Sequence, residues 1–276
     1  MSDYQHRFGG IARLYGQQNL VKLQQAHFCV VGIGGVGSWV AEALARNGMG
    51  NITLIDLDDI CTTNINRQIH ALSSTIGLSK VEVMAARINE INPECHVTCI
   101  EDFVTLDNLP EIFKNSTQNQ LQQSKFDYII DAIDSVNIKS ALIAFCKRNK
   151  LPIITVGGAG GQIDPSKIEI CDLSKTYQDP LLAKVKNQLR REYNFPRADL
   201  AKAGKRKFSI DAVYSTEQLL YPNSSGEVCF AKQQANSESG AMRLDCNNGF
   251  GATTHVTASF AFFAVAHSIK KYLKFK

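Results

Sequence analysis

Short apolar stretches alternate with amphipathic stretches over the first 160 residues of the chain. Each apolar stretch has the length of a buried strand, and each amphipathic stretch carries apolar residues at helical spacing. The predicted strands are 28–31, 51–56, 96–100, 126–131 and 152–156. The predicted helices are 17–25, 38–46, 79–91 and 135–149. This alternation predicts an α/β fold, Rossmann-like and doubly wound, with a mostly parallel sheet.

The regular alternation fades in the C-terminal part of the chain. Residues 167–171 and 208–214 are predicted to be strands, which we expect to form an antiparallel C-terminal extension of the sheet. Residues from about 222 to 248 are rich in Asn, Ser, Gly and Gln, which predicts a long mobile loop.

Residues 249–267 resemble a membrane span in length. The first half of this stretch is polar, with Thr253, Thr254, His255 and Thr257, and its dense apolar part covers only residues 258–266. We therefore predict a buried or interface helix, and membrane association is not expected.

The first strand ends in a glycine-rich turn that leads into a helix. Gly32, Gly34 and Gly37 fit the G-x-G-x-x-G pattern of a phosphate-binding turn. Glycines let the backbone turn tightly, and the free N–H groups of the following helix attract an anion. The second strand ends at Asp56, 24 residues after Gly32, where a carboxylate would meet a ribose hydroxyl. These features predict a nucleotide site.

Polar residues follow the second strand, at the edge of a parallel sheet where ligands bind. They include Asp58, Asn64 and Arg67. Lys80 opens the next predicted helix, where a cation is unfavourable against the helix dipole. We infer that Lys80 reaches an anion held over the same edge.

Asp134 follows the fourth predicted strand and has two interpretations. It is either the cap of the next helix or a ligand of phosphate-bound Mg²⁺, which prefers oxygen ligands. The cations Arg67 and Lys80, together with Asp134, fit a triphosphate better than a nicotinamide dinucleotide, because more negative charge has to be neutralised.

Positive charge is concentrated in residues 184–207. This segment has nine Lys and Arg residues and two acidic ones, a net charge of +7, whereas the whole chain carries +4. Such a local excess suits contact with a phosphate backbone, and a solvated helix face is the alternative. Tyr193 and Phe195 in this segment are expected to pack inward rather than to stack on bases.

The eight cysteines include no C-x-x-C pair, so we do not expect a structural zinc site. No signal-peptide pattern opens the chain, and we expect reduced thiols and a cytoplasmic location. For Cys229, in the predicted loop, we favour an incidental thiol over a nucleophile or a sulfur acceptor.

The order of these polar residues resembles the superfamily of ubiquitin-activating-like adenylating enzymes. The resemblance covers roughly residues 7–160 and rests on residues 32–38, Asp56, Asp58, Asn64, Arg67, Gln68, Lys80, Asp131 and Asp134. Within the superfamily, residues 7–8, 64–70, 91–94 and 157–165 resemble the family of tRNA threonylcarbamoyladenosine dehydratases.

The resemblance implies one adenylation domain over 1–276, with a nucleotide-binding half at 1–160 and a tRNA and dimer half at 161–276. It implies that ATP and Mg²⁺ are the cofactors and that Arg67, Lys80 and Asp134 are catalytic, with Asp134 on the metal. The ATP-binding residues would be Gly32, Gly34, Gly35, Gly37, Asp56, Asp58, Asn64, Arg67, Lys80 and Asp134.

The partners implied by the resemblance are tRNA, a second copy of the chain and a sulfur-transfer protein. In the homodimer an N-terminal arginine reaches the partner's site. Gly10 stands where relatives often carry that arginine, so Arg13 is the candidate, with Arg7 as the alternative.

The reaction implied is adenylation of the carboxylate of threonylcarbamoyladenosine in tRNA, followed by ring closure with net loss of water. One rival is adenylation of the C-terminus of a ubiquitin-like sulfur carrier, although those relatives usually carry two C-x-x-C zinc pairs. The others are an NAD-dependent oxidoreductase and a non-catalytic tRNA-binding protein.

Overall fold

A computed structural model describes residues 2–114, 126–197, 207–222, 226–230 and 250–275. Seven of its strands form one sheet: β1 (His27–Val31), β2 (Asn51–Ile55), β3 (His96–Ile100), β4 (Tyr128–Asp131), β5 (Ile153–Val156), β6 (Ile168–Asp172) and β7 (Asp211–Ser215). They lie in the order β3-β2-β1-β4-β5-β7-β6, and all neighbours are parallel except β6 and β7. The predicted Rossmann-like, mostly parallel sheet is confirmed.

The predicted antiparallel extension is present at β6, which closes the edge of the sheet. β7 runs parallel to β5. The connection between these two strands contains β6 and a helix at Pro180–Glu192, which together carry the chain back to the edge of the sheet where β5 begins. A separate antiparallel hairpin consists of β8 (Tyr221–Pro222) and β9 (Val228–Cys229). The loop predicted at about 222–248 falls for the most part outside the described residues.

Helices cover both faces of the sheet. They are α1 (Asp3–Arg7), α2 (Gly9–Tyr15), α3 (Gln17–Gln25), α4 (Gly37–Arg46), α5 (Lys80–Ile91), α6 (Leu109–Lys114), α7 (Val136–Asn149), α8 (Pro180–Glu192) and α9 (Thr254–Leu273). Successive side chains of β1 point to opposite faces: Phe28 and Val30 pack in the core beneath α4, α5 and α9, while Cys29 and Val31 pack beneath α7 and α8. The continuous apolar run of β1 therefore reflects burial on both faces.

The stretch near the C-terminus that is polar in its first half and apolar in its second half forms most of α9. This helix packs on α4 and on the sheet. Val256, Phe260 and Ala264 are buried on its inner side. Among the described residues, no helix has the length and apolar character needed to cross a membrane. The prediction of a buried or interface helix agrees with this packing, in which one side of α9 is buried while Phe262 and Phe263 are exposed.

The C-terminal half of α9 is fastened to the amino end of β7. The Oδ2 of Asp211 lies 2.8 Å from Nε2 of His267 and 3.3 Å from Nζ of Lys271. The hydrogen bond with His267 holds the pKa of Asp211 below its ordinary value.

We predict that Asp211→Asn lowers the free energy of unfolding at neutral pH by about 1 kcal/mol, because a partly exposed ion pair is lost. A depressed carboxyl pKa stabilises the fold above the unfolded value of about 3.9 and loses this effect as the pH falls through the folded value. The variant should therefore show a smaller acid-induced loss of stability in urea unfolding. Asp107→Asn, at an exposed position, is the control. Equal stability of Asp211→Asn and the parent chain at neutral pH would contradict the prediction.

Candidate active site

The glycine loop lies at the centre of the sheet, where β1 is flanked by β2 and β4. Gly32, directly after β1, has φ of +87°, and a Cβ on it would lie 3.0 Å from the carbonyl oxygen of Ala132 after β4. A Cβ on Gly37 would lie only 1.7 Å from the carbonyl oxygen of Gly32. Both positions require glycine, because two stretches of backbone meet there without room for a side chain. This turn lies at the point where the strand order reverses, and ligands bind in the crevice at that point in such sheets.

The first turn of α4 faces the loop with its main-chain N–H groups. Within the described part of the chain, no side chain caps this helix. The N–H of Ser38 already donates to the carbonyl of Gly34 at 3.1 Å, so the positive end of the helix dipole is the main attraction for an anion.

Asp56 fastens the end of β2 to the glycine loop. Its Oδ2 accepts a hydrogen bond of 2.6 Å from the N–H of Ile33, and its Oδ1 accepts one of 2.9 Å from the N–H of Asp58. Burial raises the pKa of Asp56, while Lys80 and these two N–H groups oppose the rise. The ribose contact expected of Asp56 stays a prediction, and its contacts within the chain give it a structural role as well.

Lys80 is only 6% exposed, although it is the first residue of α5. Its Nζ donates to Oδ2 of Asp58 at 2.7 Å and lies 3.8 Å from Oδ1 of Asp56. These two carboxylates offset the unfavourable interaction of the Lys80 charge with the positive end of the α5 dipole. The ammonium group lies at the same sheet edge as the glycine loop, as the sequence predicts.

Arg67 lies against the glycine loop. A Cβ on Gly35 would lie 3.3 Å from Cδ of Arg67, and the carbonyl of Arg67 accepts a 3.0 Å hydrogen bond from Nε1 of Trp39. Its guanidinium donates to the carbonyl of Thr63 at 2.6 Å. Asn64 is buried, and its Oδ1 accepts from the N–H of Cys61 at 3.0 Å, which shapes the turn that carries Arg67.

Sequence reasoning assigned no role to two buried polar residues beside the loop. Nε2 of His70 lies 3.0 Å from the carbonyl oxygen of Ile33. Burial lowers the pKa of His70 to about 4, so this ring is neutral and Nε2–H donates to the carbonyl. Oε1 of Gln68, also buried, has no hydrogen-bond partner among the described residues. Their place in the polar segment after Asn64 was the available signal.

Asp134 is exposed at the carboxyl edge, three residues after β4. Ser135 occupies the N-cap position of α7, so the alternative that Asp134 caps this helix is wrong. Among the described residues, no group of three His, Cys, Asp or Glu side chains could hold a metal ion. A metal on Asp134 would therefore need oxygens from a ligand, which is how Mg²⁺ is usually held beside phosphates.

Lys139 is a buried residue that the sequence analysis missed. It and Asp131 are both 0% exposed, and its Nζ lies 2.9 Å from Oδ2 of Asp131. The signal was its position in α7, because Lys139 has helical spacing with the buried Leu142, Ile143 and Cys146.

The N-terminal arginines do not join this cluster within one protomer. Arg13 is exposed near the end of α2. Arg7 pairs with Asp3 at 2.6 Å and points its Nη1 to the carbonyl of Ile91, at the amino edge of the sheet. The site contact expected of Arg13 through a second copy of the chain stays a prediction.

The basic segment divides into engaged and exposed cations. Nζ of Lys186 donates to the carbonyl of Thr176, and the guanidinium of Arg190 lies 5.3 Å from the ring centre of Phe208. Lys184 and Arg191 are exposed on α8. Residues 198–206, including Lys202, Lys205 and Arg206, fall outside the described residues.

The two aromatic residues and the cysteine singled out from the sequence have clear environments. Phe195 is buried, 5.0 Å from Phe208 between ring centres, so inward packing is confirmed for it. Tyr193 lies under the guanidinium of Arg148, 5.6 Å away. Cys229 is half-buried in β9, with Sγ 3.6 Å from the carbonyl oxygen of Tyr221.

Comparison with known proteins places this geometry among adenylating enzymes. Residues 9–276 match the model of the ThiF family. The chain is 55% identical over 268 residues to a tRNA threonylcarbamoyladenosine dehydratase of Escherichia coli, which covers 97% of this chain and 94% of that protein. It resembles the crystal structure of the E. coli enzyme, TcdA, in complex with ATP, with a TM-score of 0.82, 51% identity and 99% and 96% of the two chains covered. The corresponding AMP complex gives a TM-score of 0.82 at 50% identity, with the same coverage of each chain.

We predict that Gly37→Ala disrupts the glycine loop, because the new Cβ would collide with the Gly32 carbonyl. The free energy of unfolding should fall by about 3 kcal/mol or more, as measured by urea unfolding.

Gly34→Ala is the matched control, because its Cβ would find its nearest neighbour 3.9 Å away, at Nε2 of Gln68. This variant should fold normally but bind ATP about tenfold more weakly by calorimetry, since the methyl group obstructs the approach of phosphate to the backbone. A Gly37→Ala protein as stable as the parent would refute the loop geometry.

Proposed function

The chain belongs to the ThiF family, and we propose that it is an ATP-dependent tRNA threonylcarbamoyladenosine dehydratase. The supporting observation is that the glycine loop, Asp56, Lys80 and Arg67 are brought together at one sheet edge in a chain that is 55% identical to an E. coli enzyme of that name. The enzyme would act on tRNA in the cytoplasm.

The reaction has two steps. The carboxylate of threonylcarbamoyladenosine attacks the α-phosphorus of ATP, the bond to the β-phosphate breaks, and pyrophosphate leaves. The carbamoyl group of the same nucleoside then attacks the activated carbonyl carbon, loses a proton and displaces AMP. Because the second nucleophile is part of the substrate, proximity supplies much of the rate enhancement. No cysteine of the chain forms a bond in either step.

The protein's contribution is binding and electrostatic stabilisation. The loop glycines and the start of α4 hold the phosphates, and Asp56, Asp58 and Asn64 shape the ribose and phosphate end. Arg67 and Lys80 stabilise the charge that develops at the α-phosphate during attack. Asp134 would hold Mg²⁺, which would supply positive charge beside the leaving pyrophosphate.

A homodimer would complete the site with Arg13 from the second copy. Exposed aliphatic side chains support this arrangement, because apolar surface of this kind marks protein interfaces. They lie between Asp58 and Lys80, beside the active site: Ile65, Leu72, Ile76 and Leu78.

A sulfur-transfer partner remains an expectation from the family resemblance. Cys229, half-buried in β9, is the cysteine that the sequence singles out for this contact, and the proposed reaction does not require it. Adenylation of a sulfur carrier remains the alternative reaction. The high identity to dehydratases over nearly the whole chain favours tRNA as the substrate.

We predict that Arg67→Ala and Asp134→Ala each reduce dehydration of the tRNA nucleoside by a factor on the order of 10² or more, because charge at the phosphates is no longer stabilised. The fold should survive, since the Asp134 side chain and part of the Arg67 side chain are exposed. Mass analysis of tRNA nucleosides after incubation with ATP measures the loss of one water. Lys22→Ala, on the surface of α3, is the control and should retain full activity. Parent-like turnover in either site variant would contradict the assignment.

We predict that replacing Lys184, Arg191 and Lys207 together by alanine weakens tRNA binding and its dependence on salt. Each lost phosphate contact should reduce the slope of log K against log salt by about 0.7 to 0.9. All three side chains are exposed. Filter binding at several salt concentrations gives both quantities. Replacing Lys22, Lys150 and Lys167, which are exposed outside the segment, removes the same charge; an equal effect of this control would show that only net charge matters.

A further inference from the structure

Lys139 is a fully buried cation in α7, and it forms an ion pair with Asp131. Burying such a pair is costly, because both charges lose their contact with water. The side chain of Lys139 and that of Asp131 are both 0% exposed. A well-packed apolar pair of similar volume is often as stable as a buried ion pair, or more stable. Stability alone therefore does not explain a lysine in this position of α7.

The contacts of Lys139 are concentrated on the turn that leads from β4 to Asp134. Nζ donates to the carbonyl of Ile133 at 2.8 Å and lies 3.4 Å from the carbonyl of Asp131. The Asp131 carboxylate in turn accepts 3.1 Å and 2.7 Å hydrogen bonds from the N–H of Ile133 and from Oγ1 of Thr155. This network fixes the backbone immediately before Asp134.

The same turn forms one wall of the nucleotide crevice. The N–H of Ala132 donates to the carbonyl of Val31 at 2.9 Å, and a Cβ on Gly32 would lie 3.0 Å from the carbonyl oxygen of Ala132. Asp134 is exposed and does not cap α7. The direction in which Asp134 presents its carboxylate is therefore set by the backbone of residues 131–133.

We propose that Lys139 is a positioning residue that, through Asp131 and the Ile133 carbonyl, holds the turn in the shape that presents Asp134 to the metal on the ATP phosphates. This inference rests on the proposed function, because it assumes that Asp134 contacts Mg²⁺. Lys139 itself touches neither ATP nor the metal.

The test is the effect of Mg²⁺ on ATP affinity, measured by calorimetry without tRNA. The ratio of the ATP dissociation constants in EDTA and in saturating MgCl₂ gives the coupling between metal and nucleotide. We expect Lys139→Met to reduce this ratio by about fivefold or more while the affinity in EDTA stays within about twofold of the parent. Lys186→Met is the matched control, because Lys186 also donates from its Nζ to a main-chain carbonyl, that of Thr176, away from the turn. It should leave both affinities unchanged.

A double-mutant cycle separates positioning from general destabilisation. If Lys139 acts through Asp134, adding Lys139→Met to Asp134→Asn should cause no further loss of the Mg²⁺ effect. Additive losses, an unchanged ratio in Lys139→Met, or equal weakening in EDTA and MgCl₂ would each overturn the proposal. Should Lys139→Met fail to fold, Thr155→Val removes one bond to Asp131 and should reduce the ratio by about twofold; an unchanged ratio there has the same meaning.

Two outcomes distinguish this inference from the proposed function. If Asp134→Asn abolishes the effect of Mg²⁺ on ATP affinity but Lys139→Met leaves it intact, the positioning role of Lys139 is contradicted and the proposed function is not. A parent protein whose ATP affinity does not respond to Mg²⁺, or responds equally after Asp134→Asn, would remove the metal role of Asp134, and the positioning role with it.

Discussion

The largely buried carboxylate of Asp56 makes the contacts on which the arrangement of the site depends. It accepts hydrogen bonds from Ile33 in the glycine loop and from Asp58 after β2, and it lies beside the ammonium group of Lys80. Three segments that are distant in sequence are thereby held at one edge of the sheet. Without this carboxylate, the N–H of Ile33 would lose its hydrogen-bond partner, at a cost of about 1–3 kcal/mol, and Lys80 would keep only its hydrogen bond with Asp58. The glycine loop and Lys80 are therefore both in contact with the same side chain.

Asp131, which is fully buried, has the corresponding role on the other side of β1, where its carboxylate accepts a hydrogen bond from the N–H of Ile133. Asp56 directly follows β2 and Asp131 ends β4, and β1 with its glycine loop lies between these strands. Each acid pairs with a buried lysine from the helix that follows its strand, Lys80 or Lys139. The two sides differ in one respect: Nζ of Lys80 donates to the exposed Asp58, whereas Lys139 is fully enclosed and Asp134 is the exposed acid on its side.

The sequence predicted the parallel sheet and the glycine turn because their causes are local. Apolar runs of strand length and a Gly32–Gly37 spacing do not depend on distant partners. The direction of β7 could not be predicted, because it depends on how α8 and β6 fill the space after β5. Lys139 was missed because a lysine is expected at the surface, although its helical spacing with apolar residues of α7 was a signal of burial. For Arg67 the spacing located the residue beside the loop, but its contact with Thr63 required the structure. The expectation for Arg13 depends on the family resemblance, because it concerns a contact between two protomers.

The first step of the proposed reaction is attack of a substrate carboxylate on the α-phosphate of ATP. The most direct measurement uses tRNA whose threonylcarbamoyl carboxylate carries ¹⁸O, followed by mass analysis of the nucleotide and nucleoside products. The account predicts that one labelled oxygen appears in AMP while the tRNA nucleoside loses one water. Unlabelled AMP, or label in ADP or inorganic phosphate instead, would contradict it.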